Sequence, residues 1–250
     1  MRALSRMRIL LYGAEARDLE PEIAKHANLV LVDDDPDVVV SYGGDGTLLS
    51  AELRWPGLPK VPIKNSRRGV RCMAHPPNMV IERLAAGGLV HVAYMKLECE
   101  LRHPDQAEPI CDLTAMNEFN VHMGHINSAV RFPLTLDDEP YQNGREIIGD
   151  GLVISTPFGS TAYFNHITRG VFHAGLGIAF KSPAARTTHL VVADTVTVRV
   201  AIARGPAILG FDNSPDYFDL REGDILTVRK HPRPATLLTW RAMTHQSDEF

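Results

Sequence analysis

The stretch VVVSYGGDGTLLS (residues 38–50), in which an apolar run meets three glycines and an aspartate, constrains the fold more than any other part of the sequence. Its valine-rich first half is typical of a buried strand, and its second half has the composition of a helix. Glycines at such a junction allow unusual backbone angles and let the N–H groups of the helix start approach an anion. The pattern therefore predicts a strand, a tight turn and a helix, with Gly43, Gly44 and Thr47 as candidate phosphate-binding residues.

Asp45 lies inside this loop, and the residues around it leave two roles open for its carboxylate. The carboxylate either caps the helix after a tight turn or acts on a bound ligand. The loop has neither the Lys-Ser/Thr pair of a Walker motif nor the glycine spacing of a dinucleotide-binding fold. The choice between the two roles depends on the rest of the chain.

Strand-like and helix-like segments alternate over roughly the first ninety residues, which favours parallel strand pairing in an open α/β sheet. Strands are predicted within residues 7–13, 28–35, 37–44 and 60–65, and helices within residues 15–27, 46–55 and 78–88. The pattern changes near Leu89, where short β-prone runs separated by turn residues begin. We therefore expect an α/β N-terminal domain with a parallel sheet, residues 1–88, and a β-rich C-terminal domain, residues 89–230.

Composition limits the possible partners and compartments. The formal net charge of −4 argues against binding to duplex nucleic acid, which requires a broad basic surface. The sequence has no run of the roughly 20 apolar residues that a membrane span needs and no signal-peptide pattern. The three cysteines lack CxxC spacing, and His122 and His125 lack a third ligand, so we expect no structural metal site and a reducing, cytoplasmic location.

Two further clusters contain side chains suited to binding a nucleotide. The segment IIGDGLVISTPFGSTAY (residues 147–163) supplies hydroxyl groups and the aromatic face of Tyr163, which can hydrogen-bond a base edge and stack against it. The alternative is a polar hairpin whose hydroxyl groups bond within the protein. Asn117 and Glu118 lie side by side, and an Asn carboxamide can pair with both the donor and the acceptor of an adenine edge.

Taken together and in this order, the three clusters resemble those of the NAD kinase family, whose members carry a GGDGT loop, an NE pair and a DG…STPxGSTAY segment. The matching stretches are YGGDGTLL, MNEFNVH and GDGLVISTPFGSTAY, and GFDNSPDYFDLREGDILTVRK (residues 210–230) matches a late Asp-containing hairpin. The resemblance covers most of residues 7–230. It also implies that the last strand region, within residues 231–250, returns to the first domain.

The resemblance implies an enzyme that phosphorylates the 2′-hydroxyl of the adenosine ribose of NAD to give NADP, with ATP or polyphosphate as donor and Mg²⁺ or another divalent cation. It implies that Asp45 contacts this hydroxyl as proton acceptor, and that the protein is a homodimer or homotetramer. The residues that it assigns to NAD are Gly46, Asn117, Glu118, Asp150, Ser160, Thr161, Ala162 and Tyr163. In this assignment Asn117, Thr161 and the Ala162 backbone hold the adenine. Glu118 faces the ribose, Asp150 the other half of the dinucleotide, and Tyr163 packs beside it.

The segment IKNSRRGVRC (residues 63–72) departs from the glycine-rich segment that the family has after its GGDGT helix. It places four basic side chains near a predicted strand end, where guanidinium groups would attract phosphate oxygens. We therefore expect Arg67 and Arg68 to bind phosphate. A solvated charged loop is the other interpretation.

A second departure, FNHITRG (residues 164–170), follows the GSTAY motif. Together the two departures leave open a non-catalytic dinucleotide-binding protein. A kinase of another hydroxyl acceptor, such as a lipid or a sugar, is a further alternative, because the GGDGT loop also occurs in such enzymes. The GSTAY motif and Asn117 argue against this last alternative, and the non-catalytic protein stays open.

Overall fold

The computed structural model describes residues 6–106, 108–184 and 187–241, and the chain divides into two compact units. The first unit consists of the described residues up to Tyr94 and from Pro234 onward, and the second of those from Met95 to Arg233. Within the described ranges, no helix combines the length and apolar character that a membrane span requires.

The first unit is a mostly parallel sheet with helices. Its strands are β1 (Met7–Tyr12), β2 (Leu29–Leu31), β3 (Val38–Gly43), β4 (Lys60–Lys64), β5 (Val90–Tyr94) and β20 (Ala235–Thr239), in the order β2-β1-β3-β4-β20-β5. Its helices are α1 (Glu20–Ile23), α2 (Asp45–Arg54) and α3 (Pro77–Ala85), with a 3₁₀ turn at Ala16–Leu19. Every strand pair is parallel except β20 with β5. The predicted α/β fold with a parallel sheet is confirmed.

The helix predicted over residues 15–27 is wrong in length, because only a 3₁₀ turn and a four-residue α-helix form there. Pro21 lies in the first turn of α1, where its missing N–H is tolerated, but it cannot sit in the interior of a longer helix. The helix predicted within residues 78–88 is present as α3. It ends before Gly87, which has a φ of 67°.

The boundary between the units follows from the pairing of β5 with β20. Tyr94 lies opposite Ala235 in this antiparallel pair, so both strands belong to the first sheet. The change of sequence pattern near Leu89 therefore marks a strand of the first unit, and the division falls after Tyr94 rather than after residue 88.

The second unit is built almost entirely of antiparallel strands, as predicted for a β-rich domain. They are β6 (Leu97–Arg102), β7 (Cys111–Ala115), β8 (Glu118–Met123), β9 (Val130–Phe132), β10 (Leu134–Leu136), β11 (Glu139–Pro140), β12 (Ile147–Gly149), β13 (Gly151–Ser155), β14 (Leu176–Lys181), β15 (His189–Val192), β16 (Val198–Ala201), β17 (Ala207–Phe211), β18 (Phe218–Leu220) and β19 (Ile225–Lys230). They form sheets in the orders β11-β10-β16-β19-β6-β7 and β15-β14-β13-β8-β17-β18, with β12 and β9 as a separate pair. Its helical segments are α4 (Tyr163–Thr168) and 3₁₀ turns at Tyr141–Gly144 and Gly159–Thr161.

Strand β8 shows how the second unit separates its core from a polar face. Phe119 and Val121 are buried in the main hydrophobic core of this unit. Because successive side chains of a strand point to opposite faces, Glu118, Asn120 and His122 lie on the other face. That face therefore presents polar side chains in the middle of a six-stranded sheet.

Candidate functional site

The GGDGT loop connects β3 to α2 in the first unit. Gly44 is the N-cap residue of α2, and no side chain caps this helix. The Asp45 carboxylate instead accepts the backbone N–H groups of Val70 at 3.0 Å and Arg71 at 2.8 Å. Asp45 is therefore not a helix cap, and its carboxylate is held in a fixed position by the basic segment, residues 63–72.

The glycines of this loop are required by close packing between protein atoms. A Cβ atom at Gly43 would lie 2.3 Å from Oγ1 of Thr47, and one at Gly44 would lie 2.9 Å from Oγ of Ser66. Gly46 lies within the first turn of α2. The glycines thus have a structural reason of their own, and phosphate binding by Gly43, Gly44 and Thr47 stays a prediction.

The basic segment is fastened to the GGDGT loop through its backbone. The Asn65 N–H donates to the Gly43 carbonyl at 2.7 Å, and within the segment the Gly69 N–H donates to Ser66 Oγ at 3.0 Å. The Asn65 bond and the two N–H groups that Asp45 accepts tie the two loops together. This contact was not expected from the sequence, where the basic segment was only a candidate for phosphate binding.

The basic side chains of this segment point to different surroundings. A depression of about 590 Å³ is lined by Glu15, Lys64, Asn65, Ser66, Arg67 and Ala74. Arg68 is exposed and does not line it. Arg71 is only partly exposed, and burial lowers the pKa of its guanidinium, which the negative charge of Asp45 opposes. The structure therefore brings Lys64 and Arg67 together and leaves Arg68 outside.

Cys72 lies against the same carboxylate. Burial, followed by the charge of Asp45, raises the pKa of the Cys72 thiol to about 12. The thiol is therefore protonated at neutral pH and acts as a neutral neighbour of Asp45 rather than as a nucleophile.

In the second unit, the carboxylate of Asp212 accepts hydrogen bonds from three consecutive backbone N–H groups. It accepts those of Met116 and Asn117 at 2.7 Å each and that of Glu118 at 3.2 Å. Asp212 itself has a φ of 44°. Sequence analysis assigned no role to Asp212, although it lies in the late hairpin that matched the family pattern.

The backbone around Asn117 is used within the protein, whereas its side chain is not. Its carbonyl accepts the Thr156 N–H at 2.8 Å, and a Cβ at Gly159 would lie 2.4 Å from the same carbonyl oxygen. Among the residues that the structure describes, none hydrogen-bonds the Asn117 carboxamide. The carboxamide is thus positioned by the backbone and available to a ligand.

Several hydroxyl groups of the second cluster bond within the protein. Ser160 is 1% exposed and donates to the Phe172 carbonyl at 3.0 Å. Ser155 and Thr156 are also buried and donate to main-chain carbonyls. The interpretation as a polar segment with internally satisfied hydroxyl groups therefore describes these three residues, and Ser160 does not present its hydroxyl group to a ligand.

Thr161, Ala162 and Tyr163 are partly exposed where the 3₁₀ turn passes into α4. The Ala162 N–H donates to the Gly159 carbonyl at 2.8 Å, and its carbonyl accepts the His166 N–H at 3.3 Å. The backbone groups of Ala162 thus already have protein partners, and the side chains of Thr161 and Tyr163 are partly exposed on either side of it.

Lys181, which sequence analysis missed, lies near three of the predicted dinucleotide-binding residues, Glu118, Asp150 and Tyr163. It ends β14 opposite Gly151, and its side-chain nitrogen donates to the Asn120 side chain and, at 2.8 Å, to the Val121 carbonyl. The same nitrogen lies 5.0 Å from the centroid of the Tyr163 ring. A charged residue at the end of the otherwise apolar run LGIAF is the signal that could have identified it.

Burial sets the charge states around Lys181. It lowers the Lys181 pKa to about 7, against the opposing effect of Asp150 and Glu118. Burial also raises the Glu118 pKa to about 8, and the negative charge of Asp212 adds to this shift. The Glu118 Oε2 atom is buried and has no hydrogen-bond partner within the described residues. Glu118, Asp150 and Tyr163, three of the predicted NAD-binding residues, thus share Lys181 as a common neighbour.

The described residues contain no group of three or more His, Cys, Asp or Glu side chains that could hold a metal ion.

Residues 116–239 match the family model described as the ATP-NAD kinase C-terminal domain. The NAD kinase of Azoarcus sp. is 28% identical over 213 residues, which cover 81% of this chain and 70% of that protein. The NAD kinase of Methylococcus capsulatus is 29% identical over 233 residues, covering 87% of this chain and 74% of that protein.

Two solved structures share the fold. Yeast NADH kinase complexed with NADH matches with a TM-score of 0.81 and 17% identity, over 94% of this chain and 84% of that one. An NAD kinase from Archaeoglobus fulgidus in complex with ATP matches with a TM-score of 0.74 and 21% identity, over 93% of this chain and 94% of that one. At these identities the agreement concerns the fold alone.

Proposed function

This chain belongs to the NAD kinase family, and we propose that it transfers a phosphoryl group to the 2′-hydroxyl of the adenosine ribose of NAD, which gives NADP. It would thus be a phosphotransferase with an alcohol group as acceptor. The observation that carries this proposal is the Asp45 carboxylate, which backbone N–H groups hold in place at the start of α2. A fixed carboxylate in this motif is suited to orienting a hydroxyl nucleophile.

Asp45 keeps the capacity to bind such a hydroxyl group. Each of its oxygens accepts one backbone N–H, and the Cys72 thiol also bonds the carboxylate. Because the two oxygens together have about four lone-pair sites, the carboxylate can still accept a hydroxyl hydrogen bond. In a loose phosphoryl-transfer transition state the attacking hydroxyl becomes acidic late. Asp45 therefore orients the hydroxyl first and accepts its proton as the new P–O bond forms.

Recognition of the dinucleotide falls to the second unit in this proposal. The free Asn117 carboxamide pairs with the adenine edge, and Thr161 contributes its side chain beside it. Tyr163 packs against the dinucleotide. Glu118 faces the ribose and Asp150 the other half of the molecule. The buried, unpartnered Oε2 of Glu118 supports a role in bonding a ligand hydroxyl group, because a buried polar atom without a partner is costly.

The phosphoryl donor in this proposal is ATP or polyphosphate. Lys64 and Arg67, which line one depression, are suited to its phosphate oxygens, and the exposed Arg68 adds positive charge nearby in the sequence. Mg²⁺ or another divalent cation, bound mainly through the donor phosphates, would supply neutralisation of their negative charge. The protein groups orient the donor and the acceptor hydroxyl.

We also propose a cytoplasmic location, which the three unpaired cysteines Cys72, Cys99 and Cys111 support. The family further leads us to propose a homodimer or homotetramer. Sedimentation equilibrium of the purified chain would measure the subunit number, and a monomer at micromolar concentration would contradict this proposal.

The decisive experiment incubates the purified protein with NAD, Mg²⁺ and either ATP or polyphosphate, and detects NADP by mass spectrometry. The Asp45→Asn variant serves as the negative control. NADP formation by the parent supports the proposal. Binding of NAD without NADP formation with either donor would instead favour a non-catalytic dinucleotide-binding protein. If a lipid or sugar offered in place of NAD is phosphorylated and NAD is not, a different kinase is favoured.

A further inference from the structure

Lys181 has no part in the reaction described above, yet it occupies the middle of the polar face of β8. It is 5% exposed, and its side chain extends from β14 across β13 to reach β8. Gly151 lies between the two strands in this register, and a Cβ there would lie 2.1 Å from the Val121 carbonyl oxygen that Lys181 binds. Glycine at position 151 thus keeps that acceptor free for the lysine.

The hydrogen bonds of Lys181 satisfy a neutral amine and leave an ammonium one acceptor short. A neutral amine has two N–H bonds, and the protein supplies two acceptors, the Asn120 side chain and the Val121 carbonyl. An ammonium has three N–H bonds. Within the described ranges, no third oxygen accepts from this nitrogen, whose remaining neighbour is the Tyr163 ring.

Titratable groups from three elements lie near Lys181. Strand β8 contributes Glu118 and His122, the turn before β13 contributes Asp150, and α4 contributes Tyr163. Among the described residues, no carboxylate lies within ion-pair distance of the Lys181 nitrogen, so Asp150 and Glu118 act on it only through space. His122 has its pKa lowered by burial and then by Lys181.

We propose that Lys181 is an anion-binding residue of the dinucleotide pocket, which takes up a proton from solvent when a diphosphate-bearing ligand binds beside Tyr163. This inference rests on the proposed function. The ligand oxygen supplies the third acceptor, and the ammonium that forms places a positive charge next to the diphosphate. No bond in the ligand changes in this step.

Ligand binding and protonation of Lys181 are coupled, and the surroundings of the amine determine the sign of this coupling. Burial with two neutral acceptors disfavours the ammonium, and its pKa of about 7 places it at the balance point near neutral pH. A negative charge within hydrogen-bond distance favours the ammonium and raises that pKa. Binding therefore takes up protons above about pH 7, and affinity falls as the pH rises from about 6 to 8.5.

The alternative is that Lys181 only joins β14 to β8 through its hydrogen bonds. In that case its replacement lowers the stability of the fold, but neither the proton balance of binding nor its pH dependence changes. The two readings therefore differ in a measurement that is independent of catalytic turnover.

The experiment is calorimetric titration of the intact protein with NAD at pH 7.5, in two buffers of different ionisation enthalpy, which together give the number of protons taken up. We expect a measurable uptake by the parent and none by Lys181→Met, with NAD binding weakened about 10- to 100-fold in the variant, the range for a lost charge-assisted hydrogen bond. Lys230→Met, which removes an exposed lysine paired with Asp194, is the matched control and should behave like the parent.

Two more variants keep the test decisive. Glu118→Gln removes the nearby carboxyl group that also titrates near neutral pH, and proton uptake should persist in it. Lys181→Arg keeps a charge at every accessible pH, so its affinity for NAD should fall less than that of the parent between about pH 6 and 8.5. It also provides the test if Lys181→Met fails to fold.

Proton uptake that persists in Lys181→Met, or an absence of uptake in the parent, overturns the inference. So does a Lys181→Arg variant with the pH dependence of the parent. A parent that binds NAD with proton uptake but forms no NADP would overturn only the proposed activity. If the parent protein does not bind NAD, both the proposed activity and the inference about Lys181 are overturned.

Discussion

The carboxylate of Asp212 accepts the backbone N–H of Asn117 at 2.7 Å, across 95 residues of sequence. The same carboxylate accepts the N–H groups on either side, so it fixes the backbone that carries the Asn117 and Glu118 side chains. The position of the predicted adenine-binding residue thus depends on a residue of a distant hairpin.

Asp212→Asn should therefore weaken both the fold and NAD binding. An Asn side chain offers one acceptor oxygen in place of two and loses the charge, and hydrogen bonds to a charged group contribute about 1.5 to 3 kcal/mol. We expect a loss of unfolding free energy in this range by urea denaturation, with weaker NAD binding by calorimetry. Asp216→Asn, at an exposed position in the same loop, is the control. An unfolding free energy and an NAD affinity equal to those of the parent would show that the Asp212 hydrogen bonds contribute little to either.

Asp45→Asn should bind NAD with an affinity close to that of the parent and lose about 10²- to 10⁴-fold in turnover, the range for a positioned general base. The amide nitrogen of Asn would also face a backbone N–H of Val70 or Arg71, so thermal denaturation must accompany the kinetics. Parent-like turnover in a folded variant would remove Asp45 from the chemistry.

Asn117→Ala should weaken the binding free energy of NAD by about 1 to 3 kcal/mol, because the polar edge of the adenine would lose its partner. The fold should survive, since the Asn117 side chain makes no hydrogen bond among the described residues. Asn127→Ala, at an exposed position of the same unit, is the control for calorimetry. Equal affinities in the two variants would refute the assignment.

Replacement of Arg67 and Arg68 together by Gln tests the basic segment. If these arginines bind phosphate, KM should rise for ATP or for NAD, since a desolvated charge-assisted hydrogen bond contributes about 1.5 to 3 kcal/mol. Because Arg67 lines the depression and Arg68 does not, we expect the single Arg67→Gln variant to account for most of the effect. Arg17→Gln, in the same unit, is the control, and unchanged KM values for both substrates would identify a solvated loop.

The raised pKa of Glu118 predicts how the unfolding free energy depends on pH. Its pKa is raised by burial to about 8, so the folded state holds the proton more tightly than the unfolded state does. The stabilisation from this protonated carboxyl group is fully present below the ordinary Glu pKa and is lost as the pH rises through about 8. Glu118→Gln should therefore gain stability relative to the parent as the pH rises from about 5 to 8. Urea midpoints would measure this trend, which should be absent in Glu222→Gln, an exposed control.

The sequence predicted those features that depend on local patterns. The glycine loop between β3 and α2, the parallel sheet and the β-rich second unit follow from apolar periodicity and turn residues, and the family resemblance from three short motifs. The shape of the segment at residues 15–27 was not predictable at the same level, because Pro21 is compatible with the start of a helix or with its absence.

The contacts that fix the site could not be read from the sequence, because they join distant segments. The Asp45 bonds to Val70 and Arg71 leave no sequence signal, and the lysine after the apolar run LGIAF indicates that Lys181 is unusual but not which groups it contacts. Ser160 shows the opposite case, since its motif suggested a ligand contact whereas its hydroxyl group is buried against main-chain carbonyls. A motif fixes residue types, but only tertiary packing decides which side chains remain available.

The position of β20 between β4 and β5 has a consequence for synthesis on the ribosome. Among the described residues, strand β5 pairs only with β20, which is the last strand in those ranges. While the polypeptide is being translated, residues 95–233 emerge complete before the sheet of the first unit can close. The segment translated first is thus finished last, and a nascent chain truncated before Ala235 would leave the edge of β4 open to other partners, including chaperones.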